Sequence, residues 1–426
     1  MEPVAMTEPK EEKVRSFLFR HPSFGWFWCA RIASSLAFQM GSVAVGWQIY
    51  GLTHSTFQLG MIGLVQFLPI VLFTLVSGHV ADRYDRRAVC GIAIAVQGLA
   101  ALVLGLGSWG HWISVAGIYA MIAVVGAARA FQGPATQALT PTLVPLQQLP
   151  KAIAWSTSAF MLASIAGPAV GGLLYAFGPG VPYLAAGSLA LLGAGFLPLM
   201  RLGGRAVPGR PDLAGSIFSG IQYIRTHPVI LGSISLDLFA VLLGGATALL
   251  PAFASDILKV GSLGLGVLRA APAVGSVCMT VLLARRPPKR EVGHKMFGAV
   301  LVFGVATIVF GLSRSYLLSL AALVVLGAAD MVSVVIRSTL VQVSTPNEMR
   351  GRVGAVNSLF IGTSNQLGEF ESGVTASLFG TVASTVLGGI GTLVVAVLWM
   401  RIFPELRTFD RFAAKAEPAA NSEKVS

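Results

Sequence analysis

Stretches such as MIGLVQFLPIVLFTLVSGHVA (61–81) and LAALVVLGAADMVSVVI (320–336) reach the roughly 20 apolar residues that a helix needs to cross a bilayer. Such runs recur from one end of the chain to the other. Hydrocarbon offers no partner to a backbone N–H or C=O, so a spanning segment must close its hydrogen bonds within a helix or around a closed barrel. The runs lack the period-two alternation of barrel strands, which leaves helices. About twelve spans are expected, near 24–52, 57–80, 88–109, 112–138, 152–177, 180–201, 229–254, 262–284, 293–313, 315–340, 353–379 and 382–403. Composition agrees: only 11% of the 426 residues are charged, against about a quarter in soluble proteins. Mean hydropathy is +0.75. The 49 glycines suit helices whose backbones approach closely in lipid.

The net charge of +12 is unevenly placed. Of 30 Lys and Arg, only Lys259 and Arg314 fall in loops on the side opposite the N-terminus, while Arg31, Arg129, Arg269 and Arg337 lie within spans. This is the positive-inside bias, so both termini are expected in the cytoplasm and nucleic acid is not an expected partner. The first 23 residues are polar, with no apolar core before a cleavage site, so no removable signal peptide is evident. Cys29, Cys90 and Cys278 fall in apolar runs and read as small packing residues. No His/Cys/Asp/Glu cluster has metal-ligand spacing, GxxxxGK is absent and no Ser-His-Asp arrangement can be argued. Neither an enzyme, a bound metal, a cofactor nor direct ATP coupling is expected.

The polar segment 202–228 divides the spans six and six, and Leu213 to Ile224 within it has the pattern of an amphipathic surface helix. RHPSFGWFWCARIA opens the first span and THPVILGSISLDLF the seventh, placing Arg31 and Asp237 each nine residues after a proline. GAARAFQG in the fourth span answers GAADMVSV in the tenth, aligning Arg129 with Asp330. The two offsets agree apart from small gaps, as duplicated halves require. The expected organisation is a cytoplasmic tail (1–23), a six-helix bundle (24–201), a cytoplasmic linker (202–228), a second six-helix bundle (229–403) and a cytoplasmic tail (404–426).

SGHVADRYDRRAV gathers five charged residues between Asp82 and Arg87, at the hairpin joining the second and third spans. Gly78, Asp82, Arg83, Arg86 and Arg87 resemble the signature loop of the major facilitator superfamily, with Asp85 where that family usually has glycine. RAFQGP resembles the family's fourth-span motif through Arg129, Gln132 and Gly133. ASIAGPAVGG resembles its exporter and antiporter motif through Gly167, Pro168, Gly171 and Gly172, with Ala163 replacing the first glycine. Within the superfamily, PNEMRGRVGAVNSLFIGTSNQLGEFESG (346–373), YGLTHST and LGGIGTLVVAVLWMRIFPELR are similar to the enterobactin-exporter-like branch. The resemblance implies two pseudo-symmetric six-helix bundles that rock about a midplane site. It also implies that Asp82 latches the cytoplasmic side, helped by a helix N-terminus near Arg350 and Arg352. The corresponding loop in the second half, ARRPPKRE, keeps basic residues but lacks the acid, so the latch would be one-sided.

Ionisable residues in lipid are costly and mark pathways or couplings. Arg31, Arg129, Asp237 and Asp330 fall one each on the four spans that line the central cavity in this architecture, both arginines in one half and both aspartates in the other. Attraction across the cavity between the halves, when the cytoplasmic side is closed, is one reading; pairing within each half is the other. Glu369 and Glu371 lie roughly 200° apart on a helix and cannot share one proton on one face. Asp330, Asp237 and Glu369, in that order, are the candidate proton sites. The expected function is a monomeric, proton-coupled exporter of a small amphipathic molecule, siderophore or drug-like, in a bacterial inner membrane. Membrane lipids and protons are its other partners. An uptake symporter of the same fold, or a membrane sensor that moves nothing, would share most of these features.

Overall fold

The computed structural model describes residues 22–201, 213–288 and 290–410. Most of both expected tails and the linker stretch 202–212 lie outside the described residues. The chain forms α1 (Pro22–Thr53), α2 (Thr56–Arg83), α3 (Arg86–Trp109), α4 (Val115–Leu139), α5 (Leu149–Tyr175), α6 (Val181–Phe196), α7 (Leu213–Thr226) and α8 (Pro228–Leu243). It continues through the short α9 (Leu250–Ala252), α10 (Gly261–Arg285), α11 (Val292–Leu312), α12 (Tyr316–Val343), α13 (Asn347–Phe379), α14 (Thr381–Ile402) and the turn α15 (Pro404–Arg407).

Leaving aside α7, α9 and α15, twelve helices among the described residues each overlap one expected span. Their starts are set by local chemistry. Ser55 and Ser114 accept the amides of Gln58 and Gly117 at 3.4 and 3.2 Å, and Pro228 sits in the first turn of α8, where a missing N–H costs nothing. Among the described residues, ten spans are long and apolar enough to cross a membrane; α1 and α13 are not among them. Both carry ionisable residues, and both pack against neighbours on either side of the molecular seam, so less of their surface has to match lipid. The seventh span departs from the single helix expected over 229–254. It breaks at Gly244, turns through Ala246–Leu249 and resumes as α9 and a wide π-turn at Phe253–Ile257.

The duplication is visible in the packing. In the first half α1 packs on α5 and α6, α3 on α4 and α6, and α2 on α4. In the second half α8 packs on α13 and α14, α11 on α12 and α14, and α10 on α12. The scheme is one six-helix bundle written twice. Each has its own apolar core, built around Phe24, Ile94, Leu139 and Leu197 in the first and Leu236, Met296, Phe297 and Ile336 in the second.

The bundles meet along two pairs, α2 with α13 and α5 with α10. We call the end carrying the start of α1 and the end of α14 the near face, and the opposite end the far face. Close backbone contact is at the far face: a Cβ on Gly60 would lie 2.9 Å from Gly373 Cα, and one on Gly172 would lie 2.9 Å from Gly266 Cα. At the near face α7 docks on the start of α13, with Ile224 buried among Val353, Val356, Ile230 and Ile234. The amphipathic segment therefore covers a helix end as well as facing outward through Phe218.

Candidate functional site

In the second bundle, α12 presents Asp330, Ser333 and Arg337 on one face, because positions i, i+3 and i+7 recur along a helix. Asp237 faces them from α8, and Val300 and Phe303 from α11 close a cavity of about 10 Å³ around the group, at the limit for a single water molecule. Arg337 Nη1 lies 2.7 Å from Asp237 Oδ1, with side chains only 4% and 8% exposed. The same nitrogen donates to Ser333 Oγ at 3.4 Å. Asp330 has no ion-pair partner among the described residues. Two carboxylates thus share one guanidinium, leaving one negative charge that a single proton cancels. In a low-dielectric interior an uncompensated charge is expensive, which sets Asp330 apart from the paired Asp237.

The first bundle holds the corresponding positive charges. Arg31 Nε donates to the Ser156 carbonyl at 3.1 Å, and the Arg129 guanidinium lies 3.7 Å above the centre of the Phe38 ring, a cation–π contact. Gln132 accepts from Gln97 at 2.9 Å and donates to Ser34 at 3.5 Å. A Cβ on Gly133 would meet open space. Attraction between Arg31 and Asp237 across the cavity is not what this conformation holds. Arg31, Arg129 and Asp237 each make their contacts inside their own half, and the acids face α11 within the second bundle.

Two polar links cross the seam near mid-depth. Arg269 Nη2 on α10 donates to Ser42 on α1 at 3.0 Å, and Gln366 on α13 donates to Gln66 on α2 at 3.4 Å. Glu369 lies over Gly63, its Oε2 within 3.2 Å of where a Cβ there would sit, and is close enough to Arg269 to interact electrostatically. Glu371 turns away and accepts from Thr375 at 2.7 Å, the division of faces expected from their spacing. Nearer the far face, the Tyr50 hydroxyl on α1 donates to the Asp256 carboxylate in the π-turn of the other half. Helix α5 runs unbroken through Pro168, with Gly167 and Gly171 against α1 and Gly172 against α10.

At the near face, Gly78 is buried and Arg83 exposed in the last turn of α2. The Asp82 side chain lies outside the described residues. Asp85, standing in the glycine position, caps α3 by accepting the Arg87 amide at 2.9 Å and pairs with its guanidinium at 2.8 Å. That pairing holds the Asp85 carboxyl below its usual range. Arg87 also donates to the Met200 carbonyl at 2.7 Å, and Arg86 to that of Ala138 at 3.4 Å. Arg350 and Arg352 donate to Thr345 and Ser219 on their own side. Sequence reasoning noted Arg337 and Arg269 within spans but gave them no role, although the seven-residue spacing of Asp330 and Arg337 was a usable signal. Tyr50 and Asp256 carried none.

The family model described as "Transmembrane secretion effector" (MFS_3) matches residues 17–425. The chain is 28% identical over 400 residues to the enterobactin exporter EntS of Shigella boydii and, equally, to that of Escherichia coli. Each match covers 92% of this chain and 95% of the relative. Among solved structures it is similar to a bacterial homologue of the human lysosomal transporter Spinster in its inward-facing, unoccupied conformation, at TM-score 0.73 and 16% identity, covering 91% of this chain and 98% of that one. A bacterial homologue of the iron transporter ferroportin, also inward-facing, gives TM-score 0.68 and 18% identity, covering 91% and 99%. Duplicated bundles, glycine-lined seams and a full-length family match converge: the chain belongs to the transmembrane secretion effector family of major facilitator transporters, in the enterobactin-exporter-like branch.

Proposed function

We propose that this transporter is a proton-driven exporter of a small amphipathic molecule of the siderophore class, working by alternating access in a bacterial inner membrane. The observation that carries the reading is the shared arginine: Asp237 and Asp330 face one Arg337 in a nearly dry cavity, so the cluster gains by taking up one proton. Asp330 is the carrier and the Asp237–Arg337 pair its fixed counter-charge. The near face is assigned to the cytoplasm on the excess of Lys and Arg there. The far-face closure is then the state that loads cargo from inside. The loop at 78–87 acts in the opposite state, where Asp82 latches the near face shut. Siderophore cargo rests on the similarity to the enterobactin exporter over nearly the whole chain.

The test is flux of enterobactin and amphipathic dyes in oriented vesicles. Export predicts accumulation in inside-out vesicles when their lumen is acid, with the signal abolished by a protonophore. Accumulation confined to right-side-out vesicles would instead make the protein an uptake symporter, and Asp82→Asn transporting at the wild-type rate would remove the latch.

A further inference from the structure

The loop ARRPPKRE has no part in the transport scheme above. It joins α10 to α11 at the near face, the same bundle corner that the charged loop at 78–87 occupies in the first half. Both corners open into outward-facing grooves. In the first half the groove runs between α2, α3 and α4, has a volume of about 380 Å³ and is lined by apolar side chains such as Val80, Val96, Val124 and Phe131. Two of its nearby cations are engaged by protein, Arg87 by Asp85 at 2.8 Å and Arg86 by the Ala138 carbonyl at 3.4 Å, while Arg83 is exposed.

In the second half the groove between α10, α11 and α12 is larger, about 580 Å³, and its near-face end is lined by Arg286 and Lys295. Both are exposed, and neither meets a carboxylate within ion-pair distance among the described residues. Among the described residues Lys295 donates only to the Arg290 carbonyl, at 2.8 Å, and so keeps donors to spare. Below them the walls are Val302, Val325 and Val332, the first two 47% and 46% exposed. Two cations at the near-face end of an apolar slot match one chemistry: a negatively charged headgroup with an acyl chain beneath it. A free anion would use the cations and leave the slot empty; a neutral lipid would use the slot and leave the cations unmet.

We propose that this groove is a binding site for an anionic phospholipid of the near-face leaflet, with the phosphate held by Arg286 and Lys295 and one acyl chain lying along Val302, Val325 and Val332. Ala329 and Ile336 form its inner wall, each adjacent in sequence to a member of the buried charge cluster, Asp330 and Arg337. The bound chain therefore packs on the turns of α12 that position the proton site.

Native mass spectrometry of the full-length protein, titrated with phosphatidylglycerol, phosphatidylcholine or inorganic phosphate, tests the site. Retention of phosphatidylglycerol in preference to the other two is expected. Arg286→Ala and Lys295→Ala should each weaken it about fivefold, the worth of one basic residue near a lipid surface. Val325→Phe should weaken it by filling the slot while every charge remains, and Arg401→Ala, a near-face cation outside the groove, should leave it unchanged. Equal retention of inorganic phosphate, an equal loss with Arg401→Ala, or no loss with the Arg286 and Lys295 variants would each overturn the proposal.

Discussion

Arg337 Nη1 reaches Asp237 Oδ1 at 2.7 Å between α12 and α8, while Asp330, two turns before Arg337 on the same face, shares their cavity without an ion-pair partner among the described residues. That asymmetry sets a carboxylate held in an ion pair beside one without such a partner, and the two should respond differently to substitution.

Removing one member of a buried ion pair strands the other. Arg337→Ala and Asp237→Ala should each destabilise the protein by about 3 kcal/mol or more, and Arg337→Met combined with Asp237→Leu by much less than their sum. Thermal unfolding of the purified protein in detergent reads this. Additive losses in the double variant would mean that the two residues are not coupled.

Gly172 lets α5 touch α10, a Cβ there lying 2.9 Å from Gly266 Cα. Gly172→Leu forces the far face apart in the closed state alone, at a cost of about 1–3 kcal/mol, enough to shift the balance of conformations roughly tenfold. Distances between spin labels at the far ends of α5 and α10 should lengthen. An unchanged distance distribution would show that this contact does not hold the seam.

The hydrogen bond from Tyr50 to Asp256 crosses the halves at the same face. Tyr50→Phe deletes the hydroxyl and little else, so the far-open population should rise about fivefold, the equivalent of roughly 1 kcal/mol. The same spin-label measurement on the conservative variant checks it, and no rise would reduce the contact to a by-product of closure.

Asp85 is a near-face carboxylate whose ionised form the fold favours. Its carboxyl is held below the ordinary 3.8 chiefly by hydrogen bonds from the Arg87 side chain. A depressed folded value means the contribution is fully present above the unfolded value and fades as pH falls through the folded one. The small stability deficit of Asp85→Ala should therefore be constant at neutral pH, begin to shrink as pH falls to the ordinary 3.8, and vanish only below the lowered folded value. A deficit that persists in acid would place the effect in helix packing instead of charge.

Much of this was legible in the sequence. Apolar run length located ten spans that are long and apolar enough to cross a membrane among the described residues, with α1 and α13 over the other two expected spans, and the proline-to-charge register of Arg31 and Asp237 exposed the duplication. Glu369 and Glu371 separated as their two-residue spacing required. The pairing of charges was not legible. The repeat set Arg31 opposite Asp237, yet α12 supplies Arg337 to Asp237 from within the same bundle, and only the α8–α12 contact reveals it. Asp85 looked like a departure from a glycine position; in the fold it became a helix cap, because an aspartate accepts the amide that glycine leaves free. The break at Gly244 hid inside a run that is apolar on both sides of it.

The proton role of Asp330 is most directly tested by Asp330→Asn in proteoliposomes, comparing cargo movement driven by an imposed pH gradient with cargo exchange at equal pH. Gradient-driven transport should fall to background while exchange persists, because the substitution fixes the cluster in its neutral form and leaves the Asp237–Arg337 pair intact. Gradient-driven transport at the wild-type rate would contradict it.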